Sequence, residues 1–290
     1  MKSKKNLFAL LLACLLLAVT LAGCTTQPPE TTDPNEPSDE ATEPTAAPTD
    51  TDSDLAYIMD KGTLVIGITA YAPMNYYDEN GKLIGFDTEF AEALCAELGV
   101  TPEFIIIDWD SKELELKSKK IDCIWNGLTI KEDRRENMDF TTAYLMNEQV
   151  VVIRAEDAAL YTDLSSFSGV SVVAEVGSAG EDTVYTDMPD AVFTGVTAQS
   201  DALLEVKAGT ADAAVIDYTM ATAMTGEGTD YSELMIVEGI DLMDEEYAIG
   251  FRLGSDMTAK ANEIIEKFLA DGTLSELAEK YEMSDLLITD

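Results

Sequence analysis

An α/β architecture in two lobes is what this sequence predicts, and three observations carry it. Short apolar runs alternate with amphipathic stretches from residue 55 onward, the pattern of mostly parallel strands covered by helices on both faces. Residues 55–290 are more chain than a single such layer ordinarily organises. The composition, 46% apolar and 26% charged, is that of a globular fold with a sizeable core.

The elements follow in order. Residues 64–68 form an unbroken apolar run and read as a buried strand. Asn80-Gly81 is a turn signal after the Tyr76-Tyr77 segment. Asp87 is then placed to cap a helix whose Phe90, Leu94 and Leu98 share one face and which Gly99 ends. Strands at 104–107 and 121–125 flank a short helix at 112–118. A second series has strands at 149–153, 170–174, 213–216 and 234–237, with helices at 179–185, 201–207 and 218–225. A strand near 247–252 and two helices, 257–270 and 274–281, close the chain.

The first 54 residues read differently. Lys2, Lys4 and Lys5 precede an apolar run over 7–21, the layout of a secretory signal and too short for a confident membrane span. It ends in Leu21-Ala22-Gly23-Cys24, which resembles the lipobox of bacterial lipoproteins. The resemblance implies removal of residues 1–23, and acylation of Cys24 with diacylglyceryl and palmitoyl chains, enough for stable anchoring. Residues 25–54 hold six of the nine prolines, nine acidic residues and no Lys or Arg. Such a stretch cannot bury enough apolar surface to fold, so 24–54 is expected to be an acidic tether. Asp50, Asp52 and Asp54 imitate the start of a calcium loop, but Leu55 and Lys61 stand where its glycine and glutamate belong.

Charge and missing residue types exclude whole classes of function. With 18 basic against 56 acidic side chains the formal charge is −38, which repels nucleic acid and anionic headgroups. There is no histidine, so Ser-His-Asp and Cys-His catalysis and histidine zinc sites are out of reach. Beyond the leader only Cys95 and Cys123 remain, with no CxxC; they are two buried thiols or one disulfide. No metal and no cofactor is expected.

Five stretches in fixed order carry a specific resemblance. They are Gly62-Thr63-Leu64-Val65-Ile66-Gly67, then Asn80-Gly81-Lys82-Leu83-Ile84-Gly85-Phe86-Asp87, and then Ile121-Asp122-Cys123-Ile124-Trp125-Asn126-Gly127-Leu128-Thr129 with Arg134. Val176-Gly177-Ser178-Ala179 and Ala211-Asp212-Ala213-Ala214-Val215-Ile216-Asp217 complete the set. Together, over residues 55–284, they resemble the family 3 extracellular solute-binding proteins of polar amino acid importers. The resemblance implies a two-lobed periplasmic-binding-protein-like (type II) fold with two hinge crossings and a central ligand cleft. Carried over, lobe 1 is 55–147 plus 244–290 and lobe 2 is 148–243, with crossings near 146–149 and 242–246.

The same residues make chemical sense for a zwitterion, whose removal from water needs a cation and donors at one end and an anion at the other. Arg134 offers a planar fork matched to a carboxylate; alone, among Glu132, Asp133, Arg135 and Glu136, it would be a solvated charge run. By resemblance it clamps the α-carboxylate, helped by Thr129 and by backbone N–H groups of Ser178 and Ala179 at a helix start. Ser178 is equally a helix cap. Asp217 matches the residue that takes the α-ammonium, with Asn126 and Gly127 lining the cleft nearby. Tyr71, Met74, Trp109 and Trp125 are candidates for the side-chain pocket, Trp125 equally for the core. Relatives that take basic ligands often carry an acid near Thr69, and here the stretch is Ile68-Thr69-Ala70, which favours a neutral or polar amino acid.

The function implied is extracytoplasmic capture of an amino acid for the permease and ATPase of an ABC importer, by a lipid-anchored monomer that is not an enzyme. Two alternatives share the fold: a dehydratase acting on a cyclic acid, and a ligand-sensing domain.

Overall fold

A computed structural model of the chain describes residues 53–289. The signal segment, Cys24 and nearly all of the expected tether lie outside the described residues. The last two residues of the expected tether are folded. Ser53 Oγ accepts from Ala56 N at 2.9 Å and caps helix α1 (Asp54–Lys61). Asp54 is buried against Arg252 Nε at 2.8 Å, so both residues belong to the folded body.

The first sheet contains β1 (Thr63–Ile68), β4 (Thr101–Ile106), β5 (Cys123–Ile124), β6 (Met138–Phe140) and β13 (Gly250–Arg252), in the order β4-β1-β5-β13-β6. A small hairpin, β2 (Tyr76–Tyr77) and β3 (Leu83–Ile84), lies apart from it. The second sheet has the order β11-β7-β10-β8-β9, from β7 (Leu145–Arg154), β8 (Ser171–Glu175), β9 (Val192–Val196), β10 (Ala213–Asp217) and β11 (Leu234–Ile236). Strand β12 (Asp244–Tyr247) pairs with the first half of β7, and its Tyr247 bridges Thr129 on the other side.

Both sheets are mixed rather than mostly parallel. β1 runs parallel to β4 and β5, and β8 to β9 and β10, but β7 and β13 are antiparallel to every neighbour. The reason lies in the chain path. After β6 it leaves the first sheet along β7, builds the second, and returns through β12 into β13. Strands used for crossing and return run against the βαβ direction. The single strand expected near 247–252 is therefore two, in different sheets.

Apolar faces hold the helices in place. Leu64, Ile66 and Ile68 of β1 meet Phe90 and Leu94 of α2 (Phe86–Leu98), while Ile264, Ile265 and Phe268 of α8 (Asp256–Asp271) close the same cluster. Ile107, Leu116, Ile121 and Met138 fill the opposite face. Each such side chain contributes about 1.5–3 kcal/mol on burial. Helix α2 starts one residue before Asp87, with Gly85 at the cap position at φ 131°. A Cβ on Gly85 would lie 2.2 Å from the Met74 carbonyl oxygen, so the chain needs glycine at that close approach. Asp87 thus does not cap the helix but points inward. Cys95 and Cys123 are both free and buried, and burial pushes the Cys95 thiol up to about 12.

Candidate functional site

Four strands end facing one narrow cavity with room for roughly one water. Tyr71 follows β1, Asn126 and Gly127 follow β5, Glu175 ends β8 and Asp217 ends β10. Open α/β sheets present ligands at the carboxyl ends of their strands, and here the ends of both sheets converge.

Arg134 lies in the short helix α4 (Glu132–Arg135) and is 3% exposed. Its Nη1 donates to the Thr129 carbonyl at 2.9 Å and its Nη2 to the Gly177 carbonyl at 3.1 Å. Gly177 follows β8, so this one guanidinium links segments following the two sheets. Asp217 is equally buried and held entirely by amides. Its Oδ1 accepts from Gln149 Nε2 and, at 3.3 Å, from Asn147 Nδ2; its Oδ2 accepts from Gln199 Nε2. Gln199 completes the clasp by accepting from Asp217 N at 2.9 Å. Burial raises the Asp217 carboxyl above its ordinary range against the pull of these donors.

The sequence reading missed three residues here. Glu245, on β12, shares the Gln149 and Asn147 amides with Asp217 and accepts from Thr129 Oγ1. Burial, and then the nearby Asp217 charge, push it up to about 8. Glu175 lines the cavity and is pushed up to about 8 by the same two causes. Lys112 is pulled down to about 8 by burial and by Arg134; its Nζ donates to the Trp109 and Gly177 carbonyls at 3.1 and 2.9 Å.

Of the expected site residues, Tyr71, Trp109, Asn126, Gly127, Thr129, Arg134, Ser178, Ala179 and Asp217 all line the cavity. Met74 and Trp125 do not. Met74 is sealed in the core, and Trp125 meets Phe90 edge-on at 4.8 Å between ring centroids, where the apolar face of α2 leaves no path to the cavity. Several of the lining residues have their polar atoms engaged. Asn126 binds Thr69 and Asn75 through both ends of its amide, so only its backbone is open to a ligand. The Thr129 hydroxyl serves Glu245. Ser178 caps α5 (Ala179–Asp187), accepting from Glu181 N at 3.2 Å, and its own N–H goes to the Glu175 carbonyl at 3.2 Å. The donors left at that end are the Ala179 and Gly180 N–H groups, which have no acceptor within the helix.

Gly127 has φ +58°, and a Cβ there would sit 2.7 Å from Tyr71 Cε1. Its N–H donates to Asp87 Oδ2 at 2.7 Å, while Tyr144 Oη donates to Oδ1 at 2.8 Å. Burial pushes Asp87 up to about 7, and the inward turn of this residue fixes the cavity floor. Tyr71 Oη in turn lies 2.5 Å from Thr219 Oγ1 and 2.7 Å from Tyr247 Oη.

Comparison with known proteins agrees with this architecture. The family model described as bacterial extracellular solute-binding proteins, family 3, matches residues 64–284. The L-cystine-binding protein TcyJ of Escherichia coli (strain K12) is 26% identical over 234 residues, 80% of this chain and 87% of that protein. The arginine-binding extracellular protein ArtP of Bacillus subtilis (strain 168) is 29% identical over 226 residues, 76% and 86% of the two chains. Among solved structures, an ABC uptake transporter substrate-binding protein from Streptococcus pneumoniae with bound histidine superposes with a TM-score of 0.73 at 26% identity, covering 81% of this chain and 98% of that one. These relatives are binding proteins rather than enzymes, and the fold is the type II periplasmic-binding-protein fold. The chain belongs to the bacterial extracellular solute-binding proteins, family 3.

Proposed function

We propose that the chain captures a free L-amino acid outside the cytoplasm and delivers it to the permease of an ABC importer. The observation that carries this reading is the convergence of Arg134 and Asp217, two fully buried opposite charges, on one cavity between two sheets. Arg134 receives the α-carboxylate, with the Ala179 N–H at the start of α5 as a second donor favoured by the helix dipole. Asp217 receives the α-ammonium. The amides that clasp Asp217 hold it in place, so little reorganisation accompanies binding. Because the two charges come from different sheets, a ligand touching both favours the closed arrangement over the open one. Residues 55–147 with 244–290 act as one lobe and 148–243 as the other, turning about the β7 and β12 crossings. Acylation at Cys24 and the acidic segment that runs from there to residue 52 tether the protein to the membrane, where it works as a monomer.

A thermal-shift screen of the full-length chain against the twenty L-amino acids and cystine tests this. A ligand at a hundred times its dissociation constant stabilises by about 2.7 kcal/mol. A rise with one or a few amino acids supports the reading. No rise with any amino acid, alongside a rise with sugars or cyclic acids, sinks it.

A further inference from the structure

The head groups of an amino acid account for two of the charged side chains lining the cavity, and a third is left over. Of the three carboxyls at the site, Asp217 accepts from three amides, which leaves room for one more donor, and Glu245 accepts from Thr129, Asn147 and Gln149. Glu175 differs: it is 3% exposed, and its Oε1 is buried with no hydrogen-bond partner. Among the described residues its carboxyl group forms no ion pair and no hydrogen bond. Lys112 carries the nearest compensating charge, but its ammonium is bonded to two backbone carbonyls instead. A buried acid without a partner is a costly arrangement that folds retain where something else fills it.

Resting on the amino-acid reading above, we infer that Glu175 determines specificity by receiving a positively charged side-chain nitrogen, so that the site takes a basic L-amino acid. Charge balance points the same way. The lining offers two acids, Glu175 and Asp217, against one permanent cation, Arg134. A ligand of net charge +1 lets both acids ionise, each beside a cation, whereas a neutral amino acid leaves Glu175 without a partner. Burial and the nearby Asp217 charge raise the affinity of Glu175 for its proton, and a cation seated beside it would release that proton. The neutral or polar side chain expected from Ile68-Thr69-Ala70 rested on an acid being absent near Thr69. The acid enters from the end of β8 instead.

The test compares isosteres by titration calorimetry on the full-length chain: L-arginine against L-citrulline, and L-lysine against L-norleucine. At least one basic member is expected to bind about thirtyfold or more tightly than its neutral isostere, the effect of one desolvated charge pair. In Glu175→Gln that ratio falls to within a few-fold, while affinity for the neutral isostere holds or improves. Glu175→Asp, which keeps the charge, retains part of the ratio. It also decides the question, together with the wild-type panel, if the glutamine variant does not fold. Equal binding of basic and neutral isosteres overturns the proposal, as does a ratio that survives in Glu175→Gln. Neutral amino acids bound with Arg134 dependence would defeat this specificity alone. Failure of every amino acid to bind would defeat the amino-acid reading itself.

Discussion

Replacing Arg134 by alanine removes the guanidinium that joins the Thr129 and Gly177 carbonyls. Of its five N–H donors two are engaged by those carbonyls, at 2.9 and 3.1 Å, which leaves three for an incoming carboxylate. Without them that carboxylate is desolvated beside buried acids with no cation to meet it. The expected loss is about 2–5 kcal/mol, or roughly 30- to 5,000-fold in Kd. Arg134→Lys separates charge from geometry. An ammonium that took over both carbonyls would have one donor left, so its Kd is expected between the wild type and Arg134→Ala. Titration calorimetry at 25 °C with the amino acid and with its carboxamide reads the effect. The wild type is expected to prefer the acid strongly and Arg134→Ala to bind both about equally weakly. A wild type that binds the amide as well as the acid refutes the reasoning, as does an Arg134→Ala Kd within threefold of wild type.

Three further outcomes follow from the same geometry. Gly127→Ala combines a left-handed φ of +58° with a Cβ 2.7 Å from Tyr71 Cε1, and is expected to destabilise by about 1–3 kcal/mol, read as a lower Tm. Asp87→Ala strands the Gly127 N–H and Tyr144 hydroxyl donors, which bond at 2.7 and 2.8 Å; about 1–3 kcal/mol for each donor lowers the urea midpoint. For pH, Glu175 and Glu245 rise on folding from 4.5 to about 8. Their contribution is complete below the unfolded value and is lost as pH rises through the folded one. The ligand-free protein therefore melts higher near pH 5 than near pH 8, and Glu175→Gln flattens that slope; an unchanged slope in the variant counts against the assignment.

Much of the fold was legible because buried strands advertise themselves: residues 64–68 and 213–216 are apolar without a break. β9 escaped notice because Thr194-Gly195 interrupts it and only its pairing with β8 makes it a strand. Asp87 looked like a cap because acids commonly precede helices, yet Gly85 takes that position and frees Asp87 to turn inward. Arg134 and Asp217 were found by spacing within recognisable stretches. Glu175 and Glu245 were not, for 56 acidic side chains offer no local sign of which two meet in a cleft. That meeting depends on two sheets closing on each other. Met74 and Trp125 misled for the opposite reason, since a large apolar side chain near a binding stretch fits core and pocket equally well.

The placement of polar groups along β7 has a mechanical consequence. In the proposed closure about β7, Asn147 and Gln149 sit on the pivot strand itself, so bonds made there would act on almost no lever arm and resist little torque. The Arg134–Gly177 bond instead joins α4 to the segment after β8, away from that strand, so the same closure would act on it with a longer arm. Grip and pivot are thereby assigned to different residues. On that proposal, changes at Asn147 or Gln149 are expected to alter how firmly a ligand is held, and changes at the Arg134–Gly177 contact how readily the jaws part.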